Sequence, residues 1–388
     1  MDARTAFATE IRSGSAPQLQ CRSVLPDERE ALLAWLNRGL REGRKQRLEA
    51  EFPTALFSQD LAKDLDKHIV VRCGGRLASH VLVHTIPVEA VGLRIELGMI
   101  GMVYTDPAFR GRGAARYGLE RALEQLKRHG TPLAILWSDL DAFYNRLGFD
   151  RAGVENFYLL SASQCRRALS PSDENVRVRP VIASDWPELE RLYAAKPCRH
   201  LRRAGDLARL AAGPDCETLV AIQGRVLTAY ATMGRGDDLI GVVHEWAGEA
   251  DGLVACLNHF TRTRAEITLL EGPVHETATR PLRITGTRPH PGSLGLMRIL
   301  DVEQLWSTLS SGCESLLNIR LRADSAAKDA YVLETPQRSF KMSHRDTLSL
   351  LFGPSIPRAL HLGLDPEIRF SLQTRFPWPM FLWGFDSI

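Results

Sequence analysis

The stretch MVYTDPAFRGRGAARYGLERALEQL, Met102 to Leu126, constrains this chain more than any other. Its apolar opening reads as a strand ending at Thr105, and Pro107 closes it. Arg110-Gly111-Arg112-Gly113-Ala114-Ala115 then leads straight into a helix predicted over Gly113 to His129, with Ala115, Leu119, Ala122, Leu123 and Leu126 on one face. Glycine lets another group approach the backbone closely, and a helix N-terminus presents unpaired N–H groups with partial positive charge. Two arginines add full charges, so the turn has the makings of a pyrophosphate cradle. The spacing is neither GxxxxGK[ST] nor GxGxxG, which disfavours a nucleoside triphosphate or NAD site. The plain alternative is a strand–loop–helix with solvated arginines.

The rest of the chain falls into three blocks, predicted at 1–167, 168–287 and 288–388. In the first, PDEREALLAWLNRGL has helical spacing, HIVVRCGGRLASHVLVH reads as a hairpin turning at Gly74-Gly75, and GLRIELGMIGMVYT is a long strand suited to the middle of a sheet. PLAILW follows the helix as a short buried strand. The polar stretch ALSPSDENV, Ala168–Val176, reads as a linker. After it the same order of elements starts again, with a capped helix, two strands split at Gln223-Gly224, the strand LIGVVHEW and the helix GLVACLNHFTR. That repetition suggests a duplicated fold. Beyond the Gly/Pro-rich GTRPHPGSLG, a strand-to-helix unit and alternating segments suggest a smaller α+β domain. The fold class expected is therefore α/β (α+β).

Composition excludes several classes. A length of 388 residues suggests two or three domains, and 24% charged with 44% apolar residues is ordinary globular composition. A net charge of +3, with both signs mixed throughout, argues against a nucleic-acid partner. No stretch of about 18 apolar residues marks a membrane span, and MDARTAFATEIRSGSAPQLQ lacks the design of a secretory signal. Seven cysteines without CxxC spacing read as reduced thiols, so a cytoplasmic location is expected. No metal site stands out: HEWAG lacks the second histidine of HExxH because Gly248 takes its place, and His80 and His84 read as structural.

The pattern T-x-P-x-x-R-G-x-G-x-A between a strand and an amphipathic helix resembles motif A of the GNAT superfamily of acyl-CoA-dependent N-acetyltransferases. Arg110, Gly113 and Ala115 meet the superfamily pattern [QR]-x-x-G-x-[GA], and Tyr144-Asn145-Arg146-Leu147-Gly148-Phe149 fits its Y-x-x-x-G-F element. The resemblance implies acetyl-CoA as co-substrate. It places backbone groups of Val103, Tyr104 and Thr105 along the pantetheine arm, and Arg110, Gly111, Arg112, Gly113, Ala114 and Ala115 at the pyrophosphate. The whole layout resembles the enhanced-intracellular-survival acetyltransferases: tandem GNAT domains, the second degenerate, and a sterol-carrier-protein-like C-terminal domain. In the second block the loop AGEADG carries Glu249 and Asp251 where the first has arginines, and carboxylates repel a pyrophosphate. One cofactor site per chain is expected, and the resemblance favours a homo-oligomer.

Acetyl transfer to an amine needs a base, donors for the developing oxyanion and an acid for the leaving thiolate. Tyr144 stands where the family places its general acid; packing beside the cofactor is the alternative. A backbone N–H around Val103 to Thr105 is the natural oxyanion donor. The base is open between Glu96, Asp386, a water and the carboxylate of Ile388. The last follows from the resemblance alone, since in the enhanced-intracellular-survival group the C-terminal carboxylate reaches the transfer site. The tail FPWPMFLWGFDSI places aromatics at five of thirteen positions, which suits either a buried terminal strand or an anchor in which Phe381, Trp383 and Phe385 hold that carboxylate. It ends in Ile388, where better-known members lead one to expect an aromatic residue.

The leading expectation is an N-acetyltransferase acting on a primary amine: an aminoglycoside, a polyamine-like compound or a lysine side chain. The alternatives are a non-catalytic module binding an apolar ligand, and a structural protein associating through its tail. Intact Arg110–Ala115 and Tyr144 count against both.

Overall fold

The computed structural model describes residues 18–53, 56, 64–169, 175–354, 357, 360 and 363–388. Residues 1–17 and most of the linker, 170–174, lie outside the described residues. The first block forms β1 (Leu19–Ser23), helix α1 (Arg29–Leu40), β2 (His68–Cys73), β3 (Arg76–Ala90), β4 (Leu93–Thr105), helix α2 (Ala114–Arg128), β5 (Leu133–Leu136), the short helix α3 (Asp141–Asn145) and β6 (Asp150–Ala152). β2 and β3 turn at Gly74-Gly75, both at positive φ, as a two-residue hairpin requires. β1 to β4 are antiparallel, and β4 then runs parallel to β5 through the α2 crossover. Alternation along the strands separates two apolar layers. Ile69, Val81, Val83 and Ile100 pack with Leu119 and Leu126 of α2. Val70 and Leu82 pack with Leu32 and Leu36 of α1.

The second block repeats this order. After β7 (Glu155–Ser161), which ends the first block's strands, β8 (Val176–Pro180), β9 (Cys198–His200), β10 (Glu217–Gln223), β11 (Val226–Met233), β12 (Val242–Gly248) and β13 (Glu266–Glu271) follow in the chain. β8, β10, β11 and β12 are antiparallel neighbours, and β12 is parallel to β13 through helix α4 (Ala250–Phe260). The architecture is thus a mixed α/β fold with the strand–helix–strand unit doubled.

The two sheets exchange strands. β7, from the end of the first block, lies beside β13 in the second sheet, with β14 (His290–Gly292) on its other side. β15 (Gly295–Ile299) crosses back and lies between β5 and β6 of the first sheet. The sequence reading groups β15 with the third segment, because a strand feeding a helix looks self-contained. Its backbone partners, Leu133 to Leu136, are more than 150 residues away and leave no local trace.

β15 is followed by helix α5 (Val302–Leu309) and a three-stranded sheet of β16 (Arg320–Ala323), β17 (Ala330–Glu334) and β18 (Ser339–Ser343). The tail then runs back through the molecule. It forms no strand: after Phe376 it is extended coil closing in one 3-10 turn at Gly384–Asp386. Trp378, Met380, Phe381, Leu382, Trp383 and Phe385 are all buried in the largest apolar cluster, which includes residues from both sheets. Irregular backbone in a core needs partners. The indole N–H of Trp378 donates to Ala90 O (3.1 Å), that of Trp383 donates to Cys198 O (3.3 Å), and Phe381 N–H donates to Cys198 Sγ (3.1 Å). Among the described residues no helix is long and apolar enough to cross a membrane.

Candidate active site

The site is organised by β4. Its ladder with β5 covers only Leu97↔Leu133, Gly98↔Ala134 and Met99↔Ile135, while β4 itself continues to Thr105. From Gly101 onward the strand therefore has β3 on one side and, among the described residues, no strand pairing on the other. Opposite Val81 of β3 stand two residues, Met102 and Val103, a bulge in which Met102 takes φ +47°. A non-glycine residue at positive φ inside a strand is strained, and such strain clusters at functional sites. Val103, Tyr104 and Thr105 thus line the open edge and are half-buried.

Past Thr105 the loop turns at Asp106, whose side chain accepts from Ala108 N–H at 2.9 Å. Gly111 (φ +71°) and Gly113 (φ +78°) take left-handed conformations that L side chains avoid, and nothing lies within 4 Å of either position. Conformation, not space, demands glycine here. Gly113 caps α2 without a side-chain hydrogen bond, so the N-cap of that 15-residue helix supplies no acceptor for its first N–H groups. Arg110, Gly111, Arg112 and Gly113 are exposed, Ala114 is buried and Ala115 half-buried. Arg110 Nε donates to Thr105 O (3.3 Å), and Arg112 stacks toward Phe109, which Arg76 also covers. A helix N-terminus capped only by glycine, two exposed arginines and an open strand edge fit a pyrophosphate with an extended amide-bearing arm.

Tyr144 extends from α3 into the layer between the sheet and α2, with Ile100 and Val103 in the same cluster. Its ring meets Phe143 and Phe149 edge-on. Burial raises its pKa against a hydrogen bond with Ser138, so the phenol keeps its proton at neutral pH.

Ile388 reaches the same strand from the other face. A Cβ placed on Gly101 would stand 2.8 Å from the Ile388 main-chain carbon, 2.8 Å from its oxygen and 2.9 Å from Cγ1. Ile388 packs in the α1-side layer with Met102 and Tyr104. The Tyr104 ring lies over Gly39 of α1, where a Cβ would come within 2.1 Å of it, and edge-on to Trp35 (4.6 Å). Tyr144 and Ile388 therefore flank β4 from opposite faces, and the missing β5 partner beyond Met99 leaves that edge open between them.

Ile388 also lines a cavity of about 590 Å³ with His84, Met99, His200, Arg202 and Arg235. A second, of about 640 Å³, lies among α2, β15 and the β16–β17 connection. Neither of these two cavities is lined by Arg110–Ala115 or Tyr144; Arg110 to Gly113 are exposed, and the Ile388 cavity meets β4 at Met99.

The tail's end is held by buried charges. Arg202 donates to both Asp386 oxygens (2.8 Å each) and to Glu245 (2.8 Å), and His200 Nδ1 lies 2.9 Å from Asp386. Burial alone would raise the Asp386 pKa, but Arg202 and His200 outweigh it and hold the carboxyl well below the usual range. Lys196 Nζ sits 3.1 Å from the Trp383 ring centre and 3.2 Å from Glu245; burial lowers its pKa to about 7 against the pull of Glu245. Arg235 donates to Gly384 O (2.6 Å) and Ser387 O (3.0 Å). Gly384 is a close approach, since a Cβ there would meet the His244 ring at 2.5 Å.

The sequence candidates are thus distributed as follows. Val103, Tyr104, Thr105, Arg110–Ala115 and Tyr144 gather on one edge and face of β4, and Ile388 on the opposite face. Glu96 points elsewhere: its carboxylate pairs with Arg94 (2.6 Å) on the exposed surface and lines neither cavity. Asp386 is a locked ion-pair partner. In the second block Glu249 caps α4 and Asp251 stands in its first turn, where they oppose an anion. His244 and Glu245 engage Gly234 O, Lys196, Arg202 and Tyr230. No group of three or more His, Cys, Asp or Glu placed to hold a metal is found among the described residues. Sequence reasoning missed Arg202, Arg235, Lys196 and His68, all dispersed single residues without a motif.

A strand edge open beyond Met99 thus leads into a glycine-arginine turn at a helix N-terminus. Residues 20–152 match the family model described as acetyltransferase (GNAT) domain, and this segment is a GNAT acetyltransferase domain. Over 108 residues, 26% of its length, the chain is 28% identical to an uncharacterised N-acetyltransferase of Methanocaldococcus jannaschii. The chain spans about half (47%) of the length of that curated relative. Solved structures share the fold over 96% of this chain and 100% of their own. They include a GCN5-related N-acetyltransferase of Anabaena variabilis (TM-score 0.66, 13% identity) and a probable N-acyltransferase of Enterococcus faecalis (0.66, 12%). Eis1 of Mycobacterium abscessus aligns over the same shares (0.57, 15%).

Proposed function

We propose that the chain is an acetyl-CoA-dependent N-acetyltransferase of the enhanced-intracellular-survival type, acting on a primary amine. The observation that carries this reading is the contact of Ile388 with Gly101, one residue before the bulge. Acetyl-CoA would supply the activated acetyl thioester. Arg110 to Ala115 hold its pyrophosphate, and the free edge at Val103, Tyr104 and Thr105 holds its pantetheine arm. Val103 N–H donates to the developing oxyanion, and Tyr144 delivers a proton to the departing thiolate. From the other face the Ile388 carboxyl orients the acceptor's ammonium and takes its proton, directly or through water.

The acceptor enters through the 590 Å³ cavity. Its lining has five acidic residues (Glu51, Asp64, Asp66, Asp206, Asp386) and five Lys/Arg (Lys67, Arg202, Arg203, Arg209, Arg235). Such balance suits a small molecule or lysine side chain presenting one ammonium better than a polycation such as an aminoglycoside. The division into 1–167, 168–287 and 288–388 makes the first unit catalytic, the second a degenerate GNAT scaffold and the third a sterol-carrier-like carrier of the tail. A cytoplasmic homo-oligomer completes the proposal. Thiol release from acetyl-CoA across a panel of amines tests it; no release with any amine, together with no acetyl-CoA binding, overturns it.

A further inference from the structure

β4 is bulged at Met102, and something must hold that strained peptide in place. The Met102 carbonyl accepts from the ring of His80 on β3: Nδ1 lies 2.9 Å from the oxygen. His80 is fully buried, and its other nitrogen, Nε2, lies 3.0 Å from Nδ1 of His68 on β2. His68 Nε2 in turn lies 2.7 Å from Leu56 O. A carbonyl can only accept, so the Met102 contact requires the Nδ1–H form of His80.

The peptide joining Met102 to Val103 is trans, so its C=O and N–H point opposite ways. With the carbonyl turned to His80 on the β3 side, the Val103 N–H is turned to the side that β5 has left. That is the direction in which an acyl oxygen beside β4 would lie.

We infer that His80, seated by His68, is a positioning residue that fixes the Met102–Val103 peptide with its N–H aimed into the β4 cleft. This rests on the acetyltransferase reading above. Among the described residues, Lys67, Asp64 and Arg29 act on His68, and His68 acts on His80, each less than burial does. Burial keeps both rings neutral, lowering His68 to about 4 and His80 to about 3. Among the described contacts, Nδ1–H of His80 serves Met102 O. A neutral His68 either donates Nδ1–H to His80 Nε2, which seats it, or donates Nε2–H to Leu56 O. The tautomer of His80 is therefore the decisive observable.

The experiment uses the full chain, labelled with ¹⁵N at histidine and at valine. His80 should show the Nδ1–H tautomer, and the Val103 amide should shift with acetyl-CoA well beyond its response to CoA. His80→Asn, whose amide can replace Nδ1–H, should keep kcat within about threefold. His80→Leu should lower kcat at least about tenfold with acetyl-CoA affinity held within about threefold, less than the 10²–10³ of losing an oxyanion donor outright. An Nε2–H tautomer, an acetyl-insensitive Val103 amide, or an unchanged kcat in His80→Leu would overturn the inference. The two NMR readouts need no acceptor, so they stand apart from failure to find an amine substrate.

Discussion

Gly101 and Ile388 meet main chain to main chain, so closely that a single methyl group on Gly101 would stand 2.8 Å from the Ile388 carbon and oxygen. The contact sets the end of the tail directly against β4, just before its bulge. Appending a few residues after Ile388 should lower kcat about 10²-fold or more while acetyl-CoA affinity, read by calorimetry, stays the same. Gly101→Val should do likewise by pushing the tail away. Full turnover in the extended protein would remove the tail from the chemistry.

Tyr144 carries a phenol in a buried layer, with its pKa raised by that burial. Tyr144→Phe keeps the ring contacts with Phe143 and Phe149 and removes the hydroxyl, with its hydrogen bond to Ser138. Steady-state thiol release should show kcat down by about 10²-fold with KM for acetyl-CoA little changed. Equal turnover of wild type and variant assigns the ring to packing.

Arg202 neutralises two buried carboxylates, Asp386 and Glu245, and stacks on Tyr193. Arg202→Met leaves both without their main partner, which should cost about 3–5 kcal/mol in denaturant unfolding. Activity should fall further than stability, because Asp386 is two residues from Ile388. A variant as stable as wild type would mean that the carboxylates find other partners.

Acid should destabilise the protein early. Burial depresses the folded pKa values of His244 to about 4 and of His275 and His84 to about 3. An unfolded histidine binds its proton near ~6.5. Below that pH the unfolded state takes up protons that the folded state refuses, so stability falls from about 6.5 down to the folded values. Asp386, also depressed, adds a loss below the ordinary Asp range near ~3.9. Urea midpoints at pH 7.5, 6, 5 and 4, chosen as about evenly spaced points across that window, should decline throughout; a flat profile contradicts the buried neutral histidines.

The cradle's affinity should depend on charge. Replacing Arg110 and Arg112 together by Ala should weaken acetyl-CoA binding at least about tenfold and flatten its salt dependence, with the melting temperature unmoved because both side chains are exposed. Wild-type affinity in the double variant would place the pyrophosphate elsewhere.

What the sequence by itself determined is local. Strand β4, the Gly74-Gly75 hairpin, the RGRGAA turn and the face of α2 follow from periodicity, positive-φ glycines and cap chemistry within a few residues of one another. The doubled strand–helix–strand order was legible for the same reason. Tertiary structure alone decided which strands complete each sheet, since β7 and β15 pair with strands that are far away in the chain. It also decided that Glu96 faces solvent with Arg94 while Asp386 is locked by Arg202, and that the tail is coil rather than strand. The contacts that fix Ile388 join residues 149 to 186 positions apart, such as Arg235 with Gly384 and His200 with Asp386. No local pattern encodes such pairs; they form because buried carbonyls and carboxylates must find donors wherever the fold brings them.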